Sequence, residues 1–190
     1  MKPPVTGCGL TGDGTDGSPL AVAGGSWPYA CDPEDNGGVI VCGSDGILRG
    51  EPRSRSRMTS MFFDRDYANV PVPAGRNQLV TRVEFPFTNP DPCNAATVVL
   101  SQEMEVTLDL PPGAAAEYGF GGPDEMVYYR NTGNTAFNGA HWQVTKVLNA
   151  GIAQPGQTVT LGFDVLVGRG SGGATYTHVQ GIVRALFITR

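Results

Sequence analysis

The stretch 97–110 constrains the fold most, because apolar and polar residues alternate along most of its length. A period of two residues is that of a β-strand with one buried face. The apolar positions are Val98, Leu100, Met104, Val106, Leu108 and Leu110. Pro111-Pro112-Gly113 follows directly, and proline ends a strand because it has no N–H to donate to a ladder. The pattern predicts a long strand that lies against a core on one side. The stretch that follows Gly113 as far as Asp124, which is rich in alanine and glycine, is predicted to be a loop.

Glycine and proline contribute 27 and 15 of the 190 residues, which disfavours helices throughout the chain. Further stretches with strand character lie between these breaks: 79–87, 125–131, 140–148, 158–167 and 175–189. Four apolar residues of the first stretch are predicted to share one face: Leu79, Val83, Phe85 and Phe87. Many strands separated by Gly, Pro and Asn turns predict an all-β fold, an antiparallel β-sandwich or jelly roll.

The stretches 158–167 and 175–189 are joined by the glycine-rich loop 168–174, and together they predict a hairpin. The first has one apolar face: Val159, Leu161, Phe163, Val165 and Val167. The second has two, with Val179, Val183, Ala185 and Phe187 on one side and Tyr176, Ile182, Leu186 and Ile188 on the other.

A strand of an antiparallel sheet that is apolar on both faces needs a second covering surface besides its own core. Another copy of the same chain is the simplest source of that surface. We therefore predict a subunit interface that contains Tyr176, His178, Ile182, Leu186 and Ile188.

Residues 1–57 differ from the rest, because glycines interrupt each short apolar run. Such pieces have no core of their own, so we predict an extended Gly/Pro-rich arm at 1–57 and a sandwich domain at 58–190. The residues predicted to dock the arm are Leu20, Val22, Val39, Ile40, Arg53, Arg55 and Arg57. For the arginines two interpretations stay open, a solvated linker or an anchor on an acidic neighbour.

The cysteines are Cys8, Cys31, Cys42 and Cys93, with no C-x-x-C pair and no nearby histidine, which argues against a zinc site. Cys31 and Cys42 flank an Asn-Gly-Gly turn, so a disulfide between them is one prediction, and free buried thiols are the favoured one. The chain has no apolar run of about 18 residues and no signal-peptide pattern. We expect neither membrane insertion nor secretion, and synthesis in a cytoplasm.

Composition and motifs also argue against several functions. The net charge of −5 disfavours nucleic-acid binding. Residues 7–12 and 168–173 both match G-x-G-x-x-G, but neither follows a strand and opens a helix as a dinucleotide site requires. The acidic stretches 13–16 and 32–35 lack the spacing of a calcium loop and are interpreted as turns. No cofactor or metal is predicted.

Catalysis has weak support in the sequence. His141 and His178 are the two imidazoles, and no G-x-S-x-G motif surrounds a serine. Glu103 and Glu105 fall on one strand face as a possible carboxylate pair, but their Thr and Ser neighbours favour a solvated face. We predict that the protein is not an enzyme.

Two stretches, 8–22 and 37–52, resemble the N-terminal segment of virion proteins from tailed actinobacteriophages. The first contains Gly12-Asp-Gly-Thr-Asp-Gly-Ser-Pro-Leu-Ala-Val22, which is similar to the glycine-rich leader of such proteins. The resemblance implies a structural component of the virion, a minor tail or appendage protein in our interpretation, with a capsid decoration protein as the alternative. Its implied partners are other copies of itself, expected as a homotrimer, and other virion proteins.

A different class of function also stays open, a carbohydrate-binding module that recognises the host cell surface. Five aromatic residues are candidates for stacking on sugar rings: Tyr118, Phe120, Tyr128, Tyr129 and Trp142. Such residues belong to a core or an interface more often than to a sugar site.

Overall fold

The computed structural model describes residues 7–122 and 125–189, which form an N-terminal segment followed by two antiparallel sheets. The N-terminal segment contains β1 (Leu10–Thr11), β2 (Ala21–Val22), α1 (Pro33–Asn36), β3 (Gly37–Cys42) and β4 (Leu48–Pro52). The larger part contains β5 (Ser56–Pro71), β6 (Gln78–Thr88), β7 (Ala96–Leu110), β8 (Ala115–Gly119), β9 (Met126–Arg130), β10 (Phe137–Ala140), β11 (Val144–Ala153), β12 (Thr158–Ser171) and β13 (Thr175–Thr189). The predicted all-β sandwich is confirmed.

Two sheets make the sandwich. One has the order β10-β7-β13-β5, with β11 also paired to β7, and the other has the order β6-β12-β8-β9. The long strand predicted at 97–110 is β7, and its alternate residues are buried between the sheets as the pattern indicates. Burial of each such side chain contributes about 1.5–3 kcal/mol.

The core lies between β7 and β13 on one side and β12 and β8 on the other. Its fully buried side chains include Tyr118, Met104, Val165, Val183 and Phe187. Gly181 of β13 faces Phe163 of the opposite sheet, and a Cβ at this glycine would lie 3.1 Å from Cζ of the ring. Glycine at this position therefore leaves room for the phenylalanine, and a larger residue would push the sheets apart.

The predicted hairpin of 158–167 and 175–189 is wrong, because β12 and β13 belong to opposite sheets. β12 pairs with β6 and β8, whereas β13 pairs with β5 and β7. The connection between them crosses from one sheet to the other, and Gly172 and Gly173 have φ angles of 63° and 82° there. These left-handed conformations, which glycine adopts without strain, give the chain its turn between the sheets.

Two side chains lie on the face opposite to the predicted one, because the ladders shift register beside them. A shift between Tyr176 and His178 turns Tyr176 into the core, where its ring packs edge-on against Tyr67 with centroids 5.2 Å apart. A shift at the start of β6 leaves Leu79 exposed, although it was expected to share the core face of Val83. A bulge inserts a residue into one strand, so it breaks the two-residue period on which both predictions rested.

Two local predictions also need correction. The stretch after Gly113, interpreted as a loop, contains β8, which is buried along its whole length between β12 and β9. His141, expected in a strand at 140–148, lies in the connection between β10 and β11. Alanine and glycine dominate the first stretch, and their low strand propensity concealed it.

All four cysteines form disulfides, Cys8 with Cys42 and Cys31 with Cys93, so the predicted Cys31–Cys42 bond and the free thiols are both wrong. Cα separations of 5.9 and 5.1 Å suit disulfide geometry. The first bond closes the N-terminal segment on itself. The second joins this segment to the sandwich at the connection between β6 and β7, so the two parts are covalently linked across 62 residues of chain.

The N-terminal segment is made of short hairpins with little apolar burial. The sandwich core begins at Val72, and the apolar residues Leu20, Val22, Val39 and Ile40 of the segment are exposed. Among residues 7–52, the described part of this segment, none belongs to the hydrophobic core of the sandwich. An extended arm is not seen in residues 7–52, which fold back on themselves, and the division of the chain at 57/58 stays a prediction.

In the described part of the chain, no helix has both the length and the apolar character needed to cross a lipid bilayer.

Limited digestion with trypsin tests the covalent link. Arg53 is exposed between β4 and β5, so trypsin should cut the chain after it, between the N-terminal segment and the sandwich. The two fragments should stay joined in one molecule. The products should run as one band without reductant and as two bands with it, because Cys31–Cys93 holds them together.

The control is the double variant Cys31→Ser/Cys93→Ser, whose digestion products should separate without reductant. Two bands from the unreduced parent protein would contradict the pairing.

Candidate functional site

The most distinctive surface of the sandwich is the outer face of the five-stranded sheet, the side that points away from the core. Alternate residues of β13 lie on this face, because those between them are buried. We define the outer face by its apolar residues: Met58, Phe62, Val99, Val147, Ile152, Ile182, Leu186 and Ile188. They come from four neighbouring strands, β5, β13, β7 and β11.

The strand register groups these residues into two apolar clusters on one face. Leu186 lies opposite Met58 on one side and opposite Val99 on the other, while Ile182 lies opposite Phe62. Directly paired residues have Cβ atoms about 4.5–5.5 Å apart, so the side chains within each cluster are neighbours. Between the two clusters lies a polar row, in which Arg184 is paired with Ser60 and Ser101.

Solvent reaches most of these apolar residues. Met58, Phe62, Val147 and Ile152 are 62%, 67%, 64% and 68% exposed, while Ile182 and Leu186 are half-buried. Soluble monomers seldom expose contiguous apolar patches larger than a few hundred Å², and larger ones mark interaction sites. The outer face exposes several large apolar side chains close together, which favours contact with another molecule.

One end of the outer face is acidic. His178 lies between two carboxylates of β5, with its Nδ1 2.8 Å from Asp66 Oδ1 and its Nε2 3.3 Å from Asp64 Oδ1. Near the middle of the face, Arg184 forms an ion pair with Glu103. The outer face therefore carries charged groups both at one end and between its apolar clusters.

The structure brings together four of the five residues predicted at the subunit interface. His178, Ile182, Leu186 and Ile188 share the outer face, whereas Tyr176 is buried in the core and is a correction to that prediction. Whether a partner covers these residues stays a prediction.

Sequence reasoning missed the contributions of β5 and β11. Phe62 lies in the run Met61-Phe62-Phe63, where consecutive residues are apolar. The two-residue period therefore does not show which face of the strand points to the core. Val147 and Ile152 lie on either side of a register shift in β11, which again hides the alternation.

The residues predicted to dock the arm are spread along the N-terminal segment. Leu20 and Val22 lie in or beside β2, and Val39 and Ile40 lie in β3 of a different hairpin. Arg55 is engaged within the chain, since its Nη2 donates to Asn36 Oδ1 at 3.1 Å. Arg57 lies inside β5, so it belongs to the sandwich rather than to the segment before it. Docking of these residues stays a prediction.

Three of the five candidate sugar-stacking aromatics are packed within the protein. Tyr129 stacks between Tyr118 and Trp142, with centroid distances of 5.5 and 4.1 Å, and Phe120 packs edge-on against Phe163 at 5.1 Å. Tyr118 is fully buried and hydrogen-bonds to the backbone of Trp142, and desolvation raises the pKa of its hydroxyl. Only Tyr128 and Trp142 of the five keep large exposed areas.

The candidate catalytic groups His141 and Glu103 interact with other groups of the chain. His141 is exposed and lies 2.9 Å from the carbonyl oxygen of Gly139 through its Nδ1, and Glu103 pairs with Arg184. Within residues 7–122 and 125–189, no three His, Cys, Asp or Glu side chains converge as they would around a metal ion. That the protein is not an enzyme stays a prediction.

No protein-family model and no curated protein sequence matches the chain. Among solved structures, it is similar to infectious bursal disease virus strain Gx, with a TM-score of 0.28 and 12% identity over 80% of this chain and 41% of that chain. The VP2 subviral particle of the same virus gives a TM-score of 0.25 and 11% identity, covering 81% of this chain and 42% of that chain. The chain spans about two fifths of these proteins, 41% and 42%. Superpositions this poor carry no argument about function.

Two substitutions at neighbouring positions of β13 test which side chains face the core. Tyr176→Ala should lower the free energy of unfolding by about 3 kcal/mol, because it empties a buried ring site. His178→Ala should change it by about 0.5 kcal/mol or less, because His178 lies on the outer face. Urea denaturation followed by circular dichroism measures both.

Repeating the urea curves at two protein concentrations separates any contribution of association, since the midpoint of an associating protein depends on concentration. Equal effects of the two substitutions would contradict the assignment of faces.

Proposed function

We propose that the protein is a homo-oligomeric structural component of a bacteriophage virion, a minor tail or appendage protein. The single observation that supports this most is the exposed apolar outer face of the five-stranded sheet. A folded chain that exposes such a face to solvent is better suited to forming an oligomer than to remaining a monomer. The resemblance of residues 8–22 and 37–52 to phage virion leaders supports a virion as the site of this assembly.

We propose that a second copy of the chain covers the outer face. Stable protein contacts bury roughly 800 Å² on each partner. Eight apolar residues with the exposures given above, plus the polar groups beside them, make a surface on the order of that size. Burial of each large side chain contributes about 1.5–3 kcal/mol, which is substantial against association costs of about 4–15 kcal/mol.

Charge also favours contact between identical copies. Asp64 and Asp66 make one end of the outer face acidic, whereas Arg53 and Arg55 lie beside the start of β5 at the other end. The acidic end of one copy is therefore complementary to the arginines of the next. Such complementarity sets orientation and partner choice more than affinity.

The edge of the same sheet offers a further contact. β5 is the outermost strand on its side of the sheet and runs for 16 residues. An edge strand presents unpaired N–H and C=O groups that another chain can pair with. The carboxylates of Asp64 and Asp66 on this strand limit that pairing to a suitable partner, so the edge supports specific rather than indiscriminate assembly.

In this proposal the N-terminal segment makes contacts to neighbouring virion proteins. Its exposed apolar residues project from small hairpins that the Cys8–Cys42 bond stabilises, and the Cys31–Cys93 bond fixes the segment to the sandwich. A capsid decoration protein would use the same features, so the location on the particle is the part of the proposal that needs direct imaging.

Leu186→Asp tests self-assembly through the outer face. A carboxylate between Met58 and Val99 should dissociate the oligomer while the sandwich stays folded, because Leu186 does not face the core. Light scattering coupled to size exclusion should give a multiple of the 20.0 kDa chain mass for the parent protein, three copies in our expectation, and a single chain for the variant.

Thr160→Asp is the matched control, since Thr160 is exposed on the outward side of the other sheet and should leave the oligomer intact. Circular dichroism of all three proteins checks the fold. A folded Leu186→Asp variant with the parent's mass would disprove assembly through this face.

Electron microscopy of phage particles, with the chain labelled by a specific antibody, tests the place in the virion. We expect label on the tail or its appendages. Label on the capsid would support the decoration-protein alternative, and unlabelled particles would contradict a virion role.

A further inference from the structure

A cavity of about 400 Å³ lies on the outward side of the four-stranded sheet, remote from the five-stranded sheet's outer face. It is bounded by the loop between β5 and β6, by β8 and β9, and by the end of β12. The side chains that line it are Arg76, Asn77, Glu117, Met126, Tyr128 and Arg169. Its volume falls within the range of about 300–1,000 Å³ typical of small-ligand sites.

Glu117 is the unusual group of this cavity. Its side chain is only 6% exposed, and Oε1 has no hydrogen-bond partner among the described residues. Oε2 lies 3.6 Å from Nη1 of Arg169, which is an ion-pair distance but longer than a hydrogen bond. Buried polar atoms in proteins nearly always have a partner, so Oε1 is an acceptor whose donor is not supplied by the described residues.

The backbone around this carboxylate is shaped to leave it room. A Cβ on Gly168, which pairs with Glu117 across the sheet, would lie 3.0 Å from Glu117 Oε1 and 2.5 Å from the carbonyl oxygen of Gly75. Glycine at this position therefore allows the loop between β5 and β6 to approach the carboxylate. Any side chain there would fill the space beside Oε1.

Arg169 adds oriented donors to the same cavity. Its guanidinium lies 4.4 Å from the centroid of the Tyr128 ring, a cation–π contact. Its backbone has a φ of 51°, a left-handed conformation that is uncommon for a residue with a side chain. Strain of this kind concentrates at functional sites, where surrounding structure holds the residue in place.

We propose that this cavity binds a saccharide. A sugar ring carries hydroxyls that both donate and accept hydrogen bonds, and it presents an apolar C–H face. The cavity offers the matching set: an acceptor on Glu117, donors on Arg169 and Asn77, and an aromatic ring on Tyr128. The guanidinium of Arg169 disfavours a metal cation here, and the carboxylate of Glu117 disfavours a simple anion.

This inference goes beyond the proposed virion role and uses a different surface. The cavity and the outer face lie on opposite sheets, so a failure of either proposal leaves the other intact. It also replaces the earlier set of sugar-stacking candidates with Tyr128 alone, because the remaining four line other parts of the molecule.

Amide TROSY spectra of the full isotope-labelled chain test the proposal, with glucose, galactose, N-acetylglucosamine and glucuronate titrated separately. At least one sugar should shift amides around Asn77, Glu117, Tyr128 and Arg169, with a Kd on the order of 1 mM. Glu117→Gln keeps the shape of the side chain but replaces one acceptor oxygen by a donor. It should weaken binding by about tenfold or more.

Glu84→Gln is the matched control, because Glu84 is an exposed carboxylate on the same side of the sheet but outside the cavity. It should bind as the parent does. Tyr128→Leu provides a second test at a half-exposed position, in case Glu117→Gln fails to fold, and it should also weaken binding.

The proposal is overturned if no sugar shifts the cavity amides of the folded parent protein. It is equally overturned if the folded variants Glu117→Gln and Tyr128→Leu bind as tightly as Glu84→Gln.

Discussion

The central constraint in this protein is the pairing of β13 with a long strand on each side. β13 is paired with β5 and β7 over nearly its whole length, so it is an inner strand of the five-stranded sheet. Its side chains therefore point alternately to the two faces of that sheet. One of them meets the four-stranded sheet and forms the core. The other, which carries Ile182, Leu186 and Ile188, is left to solvent together with its neighbours on β5, β7 and β11. Assembly is the consequence that we draw from this arrangement.

Alternation predicted much of this fold, because a strand with one buried face has a simple signature. The patterns of β7 and β12 indicated which side chains enter the core, and the doubly apolar pattern of β13 indicated a second surface. For the candidate site, Ile182, Leu186 and Ile188 could be recognised in this way. Their neighbours Met58 and Phe62 became evident only from the strand register, which a single sequence does not contain.

The remaining features depend on contacts between distant parts of the chain. A two-residue period does not reveal which strand pairs with which, so the turn between β12 and β13 was mistaken for a hairpin. Four cysteines allow three pairings, and spacing alone does not choose among them. Glu117 gave no signal, because a lone carboxylate among alanines resembles a solvated residue until the loop over it is placed.

Hydroxyl-radical footprinting of the assembled protein tests the central claim most directly, since it reads the outer face without altering it. We expect Met58 and Phe62, both exposed in the single chain, to react far more slowly in the assembled protein than in the protein diluted until it dissociates. Tyr128, which is 45% exposed on the opposite sheet, should react equally in both and serves as the internal reference. Equal reactivity of Met58 and Phe62 in the two states would contradict assembly through the outer face.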